Sequence, residues 1–244
     1  MKVLVSDLDG TLVQDKKLDE LVLLKLTNFL EEGNKFIIAT GRPYQRVRHL
    51  QTLAKASYSI CCNGAAIIDE NGEVIYHKPM SKGDIDKIVN VYSDDLTMFY
   101  SNGVDISKIT SNDEVISEDT VFFSLGYKDK SVEKIINLEE YINQLGLNVT
   151  CVRNGHNLDI GISGVSKGNA IMELVNLGKF KKEEVMVTGD NFNDISMMEL
   201  FEESYAISDG EEAVKEIAKY QVSDVGMIID PTVDWINYEV NEVK

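Results

Sequence analysis

Two aspartates stand two residues apart in Ser6-Asp7-Leu8-Asp9-Gly10-Thr11, directly after the apolar run Val3-Leu4-Val5. A strand that starts near Lys2 ends here, and its period of two predicts that Asp7 and Asp9 share one side. Two carboxylates that close repel unless a cation lies between them or one holds a proton. The Gly10-Thr11 step that follows suits a tight loop whose amides can face an anion. An acid pair, a cation and an anion loop together point to phosphate chemistry.

The elements that must position this pair alternate between strand and helix. Val3-Leu4-Val5 reads as a buried strand, and residues 18–32 carry Leu18, Leu21, Val22, Leu26, Phe29 and Leu30 at helical spacing before Gly33. Phe36-Ile37-Ile38-Ala39 is a second strand, broken by Thr40-Gly41-Arg42-Pro43. Residues 44–54 read as a helix, and residues 58–62 as a third strand that ends at Asn63-Gly64. Short apolar strands separated by helices predict a parallel sheet covered on both faces.

The rhythm changes near Pro79. Residues 82–92 and 131–145 read as helices, and 96–101, 120–127, 147–153 and 157–162 as strands, the last two around Asn154-Gly155. After Gly164 the first rhythm returns, with helices at 167–177, 195–200 and 210–220 and strands at 184–188 and 205–207. The expectation is an α/β protein: a Rossmann-like, doubly wound parallel-sheet core formed by residues 1–79 and 163–244, with an inserted α+β domain at 80–162.

Ligands of open parallel sheets bind beyond the carboxyl ends of the strands. Four such ends carry polar groups here: Asp7/Asp9, Thr40-Gly41, Asn63-Gly64 and Gly189-Asp190-Asn191-Phe192-Asn193-Asp194. Asp190, Asn193 and Asp194 can gather at one strand end, and an oxygen-rich cluster suits Mg²⁺. Lys167 opens another helix behind Ser166 as N-cap, where it joins the helix amides in favouring an anion. Each motif alone has a plainer reading. Asp-Leu-Asp-Gly suits a turn, Thr40 a helix cap, Lys167 a solvated surface, Asp190 and Asp194 a helix start, and Asn63 a turn. Arg42 suits a structural ion pair better than a phosphate contact.

Taken in order, Asp7-Leu8-Asp9-Gly10-Thr11, Thr40-Gly41-Arg42, Ser166-Lys167-Gly168 and Gly189-Asp190-Asn191-Phe192-Asn193-Asp194 resemble the four motifs of the haloacid dehalogenase superfamily. More narrowly, the chain resembles the Cof-like sugar-phosphatase branch, subfamily IIB, in which a cap lies between the second and third motifs. Asn63-Gly64-Ala65 and an apparent α-β-β-α-β-β order in the insert fit that branch. The resemblance implies Asp7 as nucleophile forming an aspartyl-phosphate, and Asp9 as general acid and base, protonated for the first step with help from its neighbouring carboxylate. It implies Thr40 and Lys167 in the catalytic site, and Gly10, Thr11, Gly41, Asn63 and Asn193 around the substrate. Mg²⁺ would be held by Asp7, the backbone carbonyl of Asp9, Asp190 and Asp194. Three carboxylates and a phosphate dianion total about −5 against one lysine, so an attacking carboxylate needs a divalent cation.

Composition bounds the partners. The chain has 244 residues, 43% of them hydrophobic, and 41 acidic against 24 basic side chains give a formal charge of −17. Such a surface disfavours nucleic acid and anionic membranes, and the family resemblance implies a small phosphorylated metabolite as partner. Cys61, Cys62 and Cys151 have no metal-ligand spacing. With no leader before Val3 and no apolar run approaching the roughly 20 residues that span a bilayer, they predict a reduced, cytoplasmic protein. His49, His77 and His156 form no constellation, and Trp235 reads as core filler. Two further activities use these residues: a phosphomutase or phosphotransferase, and a noncatalytic protein that binds phosphorylated metabolites. A dehalogenase would need neither Asp9 nor metal. Oligomeric state and the identity of the metabolite carry no signal in the sequence.

Overall fold

The computed structural model describes residues 1–14, 17–230 and 232; Trp235 lies outside them. The first half of the chain forms β1 (Val3–Ser6), β2 (Val13–Gln14), β3 (Lys17–Leu18), α1 (Glu20–Glu31), β4 (Lys35–Ala39), α2 (Arg48–Leu53), β5 (Tyr58–Cys61), β6 (Ala66–Asp69) and β7 (Val74–His77). There follow α3 (Lys82–Val89), β8 (Leu96–Ser101), β9 (Ile106–Ile109), β10 (Phe122–Tyr127), α4 (Val132–Gln144), β11 (Val149–Asn154) and β12 (Asn157–Ile162). The remainder is α5 (Lys167–Asn176), β13 (Val185–Gly189), α6 (Ile195–Leu200), β14 (Glu203–Ile207), α7 (Glu212–Ile217), β15 (Tyr220–Val222) and α8 (Val225–Ile228).

An eight-stranded sheet in the order β15-β14-β13-β1-β4-β5-β6-β7 forms one layer. Its first six strands run parallel, and β6 and β7 join antiparallel. Alternation along the strands divides two apolar layers. Val3, Val5, Ile37 and Val187 pack with Leu174 of α5, Met197 of α6 and Val214 of α7. Leu4, Phe36, Ile38 and Met186 pack with Leu26 and Phe29 of α1 and Leu50 of α2 on the other side. Strands buried on both faces read as unbroken apolar runs, which is how the sequence displays them. The chain winds outward from β1 in both directions, so the loops after β1, β4 and β13 converge where the strand order reverses.

The second sheet is antiparallel, in the order β11-β12-β10-β8-β9. One face packs Met98, Phe123, Leu125, Leu158 and Ile160 against Ile85 and Ile88 of α3 and Ile135 and Leu138 of α4. The other face turns towards the carboxyl edge of the large sheet and closes a cleft of about 410 Å³ with it. Among the described residues, no helix is long and apolar enough to cross a membrane.

The sequence reading differs from the structure in several places. The insert runs α-β-β-β-α-β-β, because Ile106-Ser107-Lys108-Ile109 forms an edge strand with too few apolar residues to show a period. The β6–β7 hairpin extends the large sheet beyond Asn63-Gly64. Residues 44–54 divide into a single 3₁₀ turn, Tyr44–Arg46, and α2. The helix expected at 210–220 ends at Ile217, where Ala218 turns extended and leads into β15.

Candidate active site

Asp7 is the first residue beyond β1, and its N–H donates to the carbonyl of Thr188 on β13 at 2.9 Å. That bond holds the end of β1 beside the end of β13, and the Asp7 side chain is buried. Lys167 begins α5, whose N-cap Ser166 accepts from the N–H of Asn169 at 3.2 Å. The lysine has no exposure to solvent, and its Nζ lies 2.5 Å from Asp7 Oδ1 and 2.6 Å from Asp194 Oδ1. A buried ammonium is tolerated only with such partners. Burial works against its charge, but the two carboxylates outweigh burial and raise its pKa.

The loop from 189 to 194 folds around its own acid. Asp194 Oδ2 accepts the N–H groups of Asp190 and Asn191 at 3.0 and 3.1 Å, so both of its oxygens are engaged. Asp190 Oδ1 accepts the hydroxyl of Thr11 at 2.7 Å, which ties this loop to the one after β1. Gly10 makes that approach possible: its φ is +93°, and a Cβ would lie 2.3 Å from Asp190 Oδ2. At α5, backbone meets backbone, since a Cβ on Gly168 would fall 2.1 Å from the carbonyl oxygen of Ser196. This contact fixes Lys167 against α6.

Asp7, Asp190 and Asp194 bring carboxylate oxygens within 4.8 Å of one another. Burial pushes the Asp7 carboxyl up to about 8; Lys167 opposes that shift, and Asp194 and Asp190 add to it. Burial likewise raises Asp190, partly offset by the Thr11 hydroxyl. With all three acids ionised against one cation, the surplus is two negative charges. A divalent cation is the group that such a donor set fits.

Asp9 occupies a different environment from the one its spacing predicts. Strand geometry stops at Ser6, and Asp9 is held by an isolated bridge to Val13. Its side chain is 54% exposed. Arg42 donates from Nε to Oδ2 at 2.8 Å and from Nη2 to Oδ1, so the partner of Asp9 is a guanidinium rather than the carboxylate of Asp7. Asp7 and Asp9 nonetheless line the same cleft.

Thr40 follows β4, is buried, and accepts the N–H of Arg42 at Oγ1 at 3.2 Å. Asn63, with φ of 54°, donates its N–H to the carbonyl of Thr40 at 3.0 Å. Its Oδ1 accepts from Asn193 Nδ2 at 3.0 Å, which bridges two loops across the cleft floor. Thr40, Gly41, Asn63 and Asn193 all line the cleft. Two donors of the Gly10-Thr11 step are engaged elsewhere: the N–H of Gly10 goes to the carbonyl of Val13 and the Thr11 hydroxyl to Asp190. The opposite wall escaped the sequence reading. It includes Phe99, Ser124 and Asp159 from the second sheet, with Arg46 and Phe192 from core loops. Alternation of buried with more exposed residues along β12 was the available signal.

A family model described as haloacid dehalogenase-like hydrolase matches residues 4–100 and 94–225. A 5-amino-6-(5-phospho-D-ribitylamino)uracil phosphatase of Bacillus subtilis is 26% identical over 223 residues, covering 90% of this chain and 89% of its own length. A haloacid dehalogenase-like hydrolase from Bacteroides thetaiotaomicron superposes with a TM-score of 0.82 at 22% identity, over 93% of this chain and 98% of that one. A solved subclass IIB sugar phosphatase gives a TM-score of 0.76 at 22% identity, over 91% and 93% of the two chains. The two structures share the fold of this chain, with its parallel-sheet core. With four motifs gathered at one sheet edge and the family model spanning nearly all described residues, the chain belongs to the haloacid dehalogenase-like hydrolases, in their Cof-like branch.

Proposed function

We propose that this chain is a Mg²⁺-dependent phosphomonoester hydrolase that acts on a small phosphorylated metabolite through an aspartyl-phosphate at Asp7. The observation that carries the reading is the buried cluster of Asp7, Lys167, Asp194 and Asp190 beneath the cleft, with its surplus of negative charge. The phosphatase relative of Bacillus subtilis, similar over nearly the whole chain, supports the reaction class. Residues 1–79 and 163–244 serve as catalytic core and 80–162 as cap, each built around its own sheet. The cysteines, free in the structure, fit a cytoplasmic setting.

The placement of these residues supports the following roles. Lys167 grips one oxygen of Asp7 and so orients the carboxylate, while its charge lowers the cost of bringing a phosphate dianion near. Asp7 attacks phosphorus, the bond to the leaving oxygen breaks, and Asp9 gives that oxygen a proton. Water then attacks phosphorus, Asp9 takes the water's proton, and the carboxylate of Asp7 is released. Asp9 can act only once its pair with Arg42 opens, which frees the guanidinium to face the incoming anion. Thr40 and the amides of its loop hold phosphoryl oxygens. Asp7 and Asp190, with the backbone carbonyl of Asp9, would hold Mg²⁺, and Asp194, with both oxygens engaged, acts through water. When bound, the metal neutralises the acids and the phosphate.

Replacing Asp7 by Asn should lower hydrolysis of p-nitrophenyl phosphate more than about a thousandfold with an unchanged circular dichroism spectrum. Asp9→Asn should cost about 10²–10⁴-fold. Near-normal turnover by either variant overturns its assigned role. Chelation with EDTA should abolish wild-type turnover, and added Mg²⁺ should restore it. Activity that persists under the chelator contradicts the metal role.

The raised carboxyl of Asp7 also has a sign in stability. Between 3.8 and about 8 it holds its proton when folded and loses it when unfolded. In metal-free protein its contribution is therefore complete below pH 3.8 and lost as pH rises to about 8. In EDTA at pH 8, Asp7→Asn should melt higher than wild type by at least about 2 °C in thermal unfolding. A lower Tm contradicts the surplus charge.

A further inference from the structure

The loop that carries Thr40 and Arg42 is fastened at its far end to the second sheet. Consecutive N–H groups of Tyr44 and Gln45 donate to the consecutive carbonyls of Gly103 and Val104, at 2.9 and 2.7 Å. The Gln45 side chain adds a bond in the same place, its Oε1 accepting the N–H of Ile106 on β9 at 3.1 Å. Three hydrogen bonds thus join two neighbouring core residues to the turn between β8 and β9.

That turn is itself held in shape. Ser101, buried at the end of β8, donates to the carbonyl of Asp105 at 2.7 Å and accepts the N–H of Gly103 at 2.9 Å. Asn102 Oδ1 accepts the N–H groups of Val104 and Asp105 at 3.0 and 2.8 Å. Gly103 has a φ of +91°, and a Cβ there would lie 2.5 Å from the Cβ of Ala66 on β6. The turn therefore rests directly on the large sheet. His77 of β7 stands beside it, with Nε2 3.1 Å from the carbonyl of Asn102 and 3.0 Å from that of Asp119. Carbonyls only accept, so Nε2 carries the proton and ties core to insert once more.

The near end of the same loop is tied within the core. Arg42 donates its N–H to Thr40 Oγ1 at 3.2 Å, and its carbonyl accepts the N–H of Cys62 at 3.1 Å. Arg42 is thus strung between two anchors, and its guanidinium grips both oxygens of Asp9, an exposed carboxylate that has left strand geometry. A guanidinium fork fixes the position and the plane of a carboxylate, so where the loop stands decides where Asp9 points. We propose that Gln45 is a positioning residue: held by the β8–β9 turn, it sets Arg42 and, through Arg42, the proton-transferring Asp9. The inference rests on the phosphohydrolase reading and deepens it, because the insert then aligns a core loop apart from any contact it makes with substrate.

The Gln45 side chain serves as an acceptor, so Glu can replace it and Leu cannot. With Mg²⁺ and p-nitrophenyl phosphate, Gln45→Leu should lower kcat at least about tenfold and leave KM within about threefold, because misalignment touches the reacting geometry more than binding. Gln45→Glu should stay within about threefold of the wild type in both. Gly103→Ala, whose methyl would fall on Ala66, should reproduce the loss from the other side of the contact and covers the case of a misfolded Gln45 variant. In the Asp9→Asn background, Gln45→Leu should cost less than about twofold more, since the group it positions no longer moves a proton. A role in stability alone would lower Tm and leave kcat intact. A kcat for Gln45→Leu within about twofold of the wild type, or a loss that multiplies fully with that of Asp9→Asn, overturns the proposal. If the wild type hydrolyses no phosphate ester, the phosphohydrolase reading fails, and amide exchange of residues 40–47 then decides the anchor. Exchange at least about tenfold faster in Gln45→Leu but not in Gln45→Glu supports it, and equal exchange overturns it.

Discussion

An ammonium with no access to water holds two carboxylates of this protein together, and much of the core is arranged around that contact. Lys167 reaches Asp7 and Asp194 at once, although the three residues come from α5, the end of β1 and the loop after β13. Removing the lysine would leave these carboxylates buried without a counter-charge, at a cost of about 3–5 kcal/mol. The close approach of α5 to α6 at Gly168, the loop around Asp194 and the left-handed turn at Gly10 can all be seen as means of bringing these charges within reach. The cluster is still unbalanced, with three acids for one base, and that imbalance is what a metal and a phosphate can use.

Stability and chemistry pull against each other at this place. A core of apolar strands packed on both sides holds the acids where burial disfavours their charge. The cleft above is lined by polar residues of the core loops on one side and by both polar and apolar residues of the second sheet on the other. The buried acids sit at the strand ends of the large sheet, whereas the opposite wall of the cleft sits on a separate sheet with its own core. That wall can thus vary without disturbing the buried charges.

Much of this was legible in the sequence, for identifiable reasons. Val3-Leu4-Val5 and Val185-Met186-Val187 are buried on both faces, so their strands show as apolar runs, and the polar residues just beyond them mark the site. The pairing of Asp9 with Arg42 was not legible, because it depends on the loop leaving strand geometry at Asp7 and on a residue 33 positions away. Thr11 was expected to face phosphate, yet its hydroxyl serves Asp190, a contact across 179 residues that no local pattern encodes. The edge strand β9 depends on cross-strand register, which two-residue alternation suggests but does not specify.

The most direct test of the buried cluster as a nucleophile site is to stop turnover of p-nitrophenyl phosphate with acid and map the protein by peptide mass spectrometry. A phosphoryl group on Asp7, formed with Mg²⁺ and absent in EDTA, is the predicted result. Steady turnover with Asp7 unmodified, or the phosphoryl group found on Asp190 or another residue instead, would contradict it.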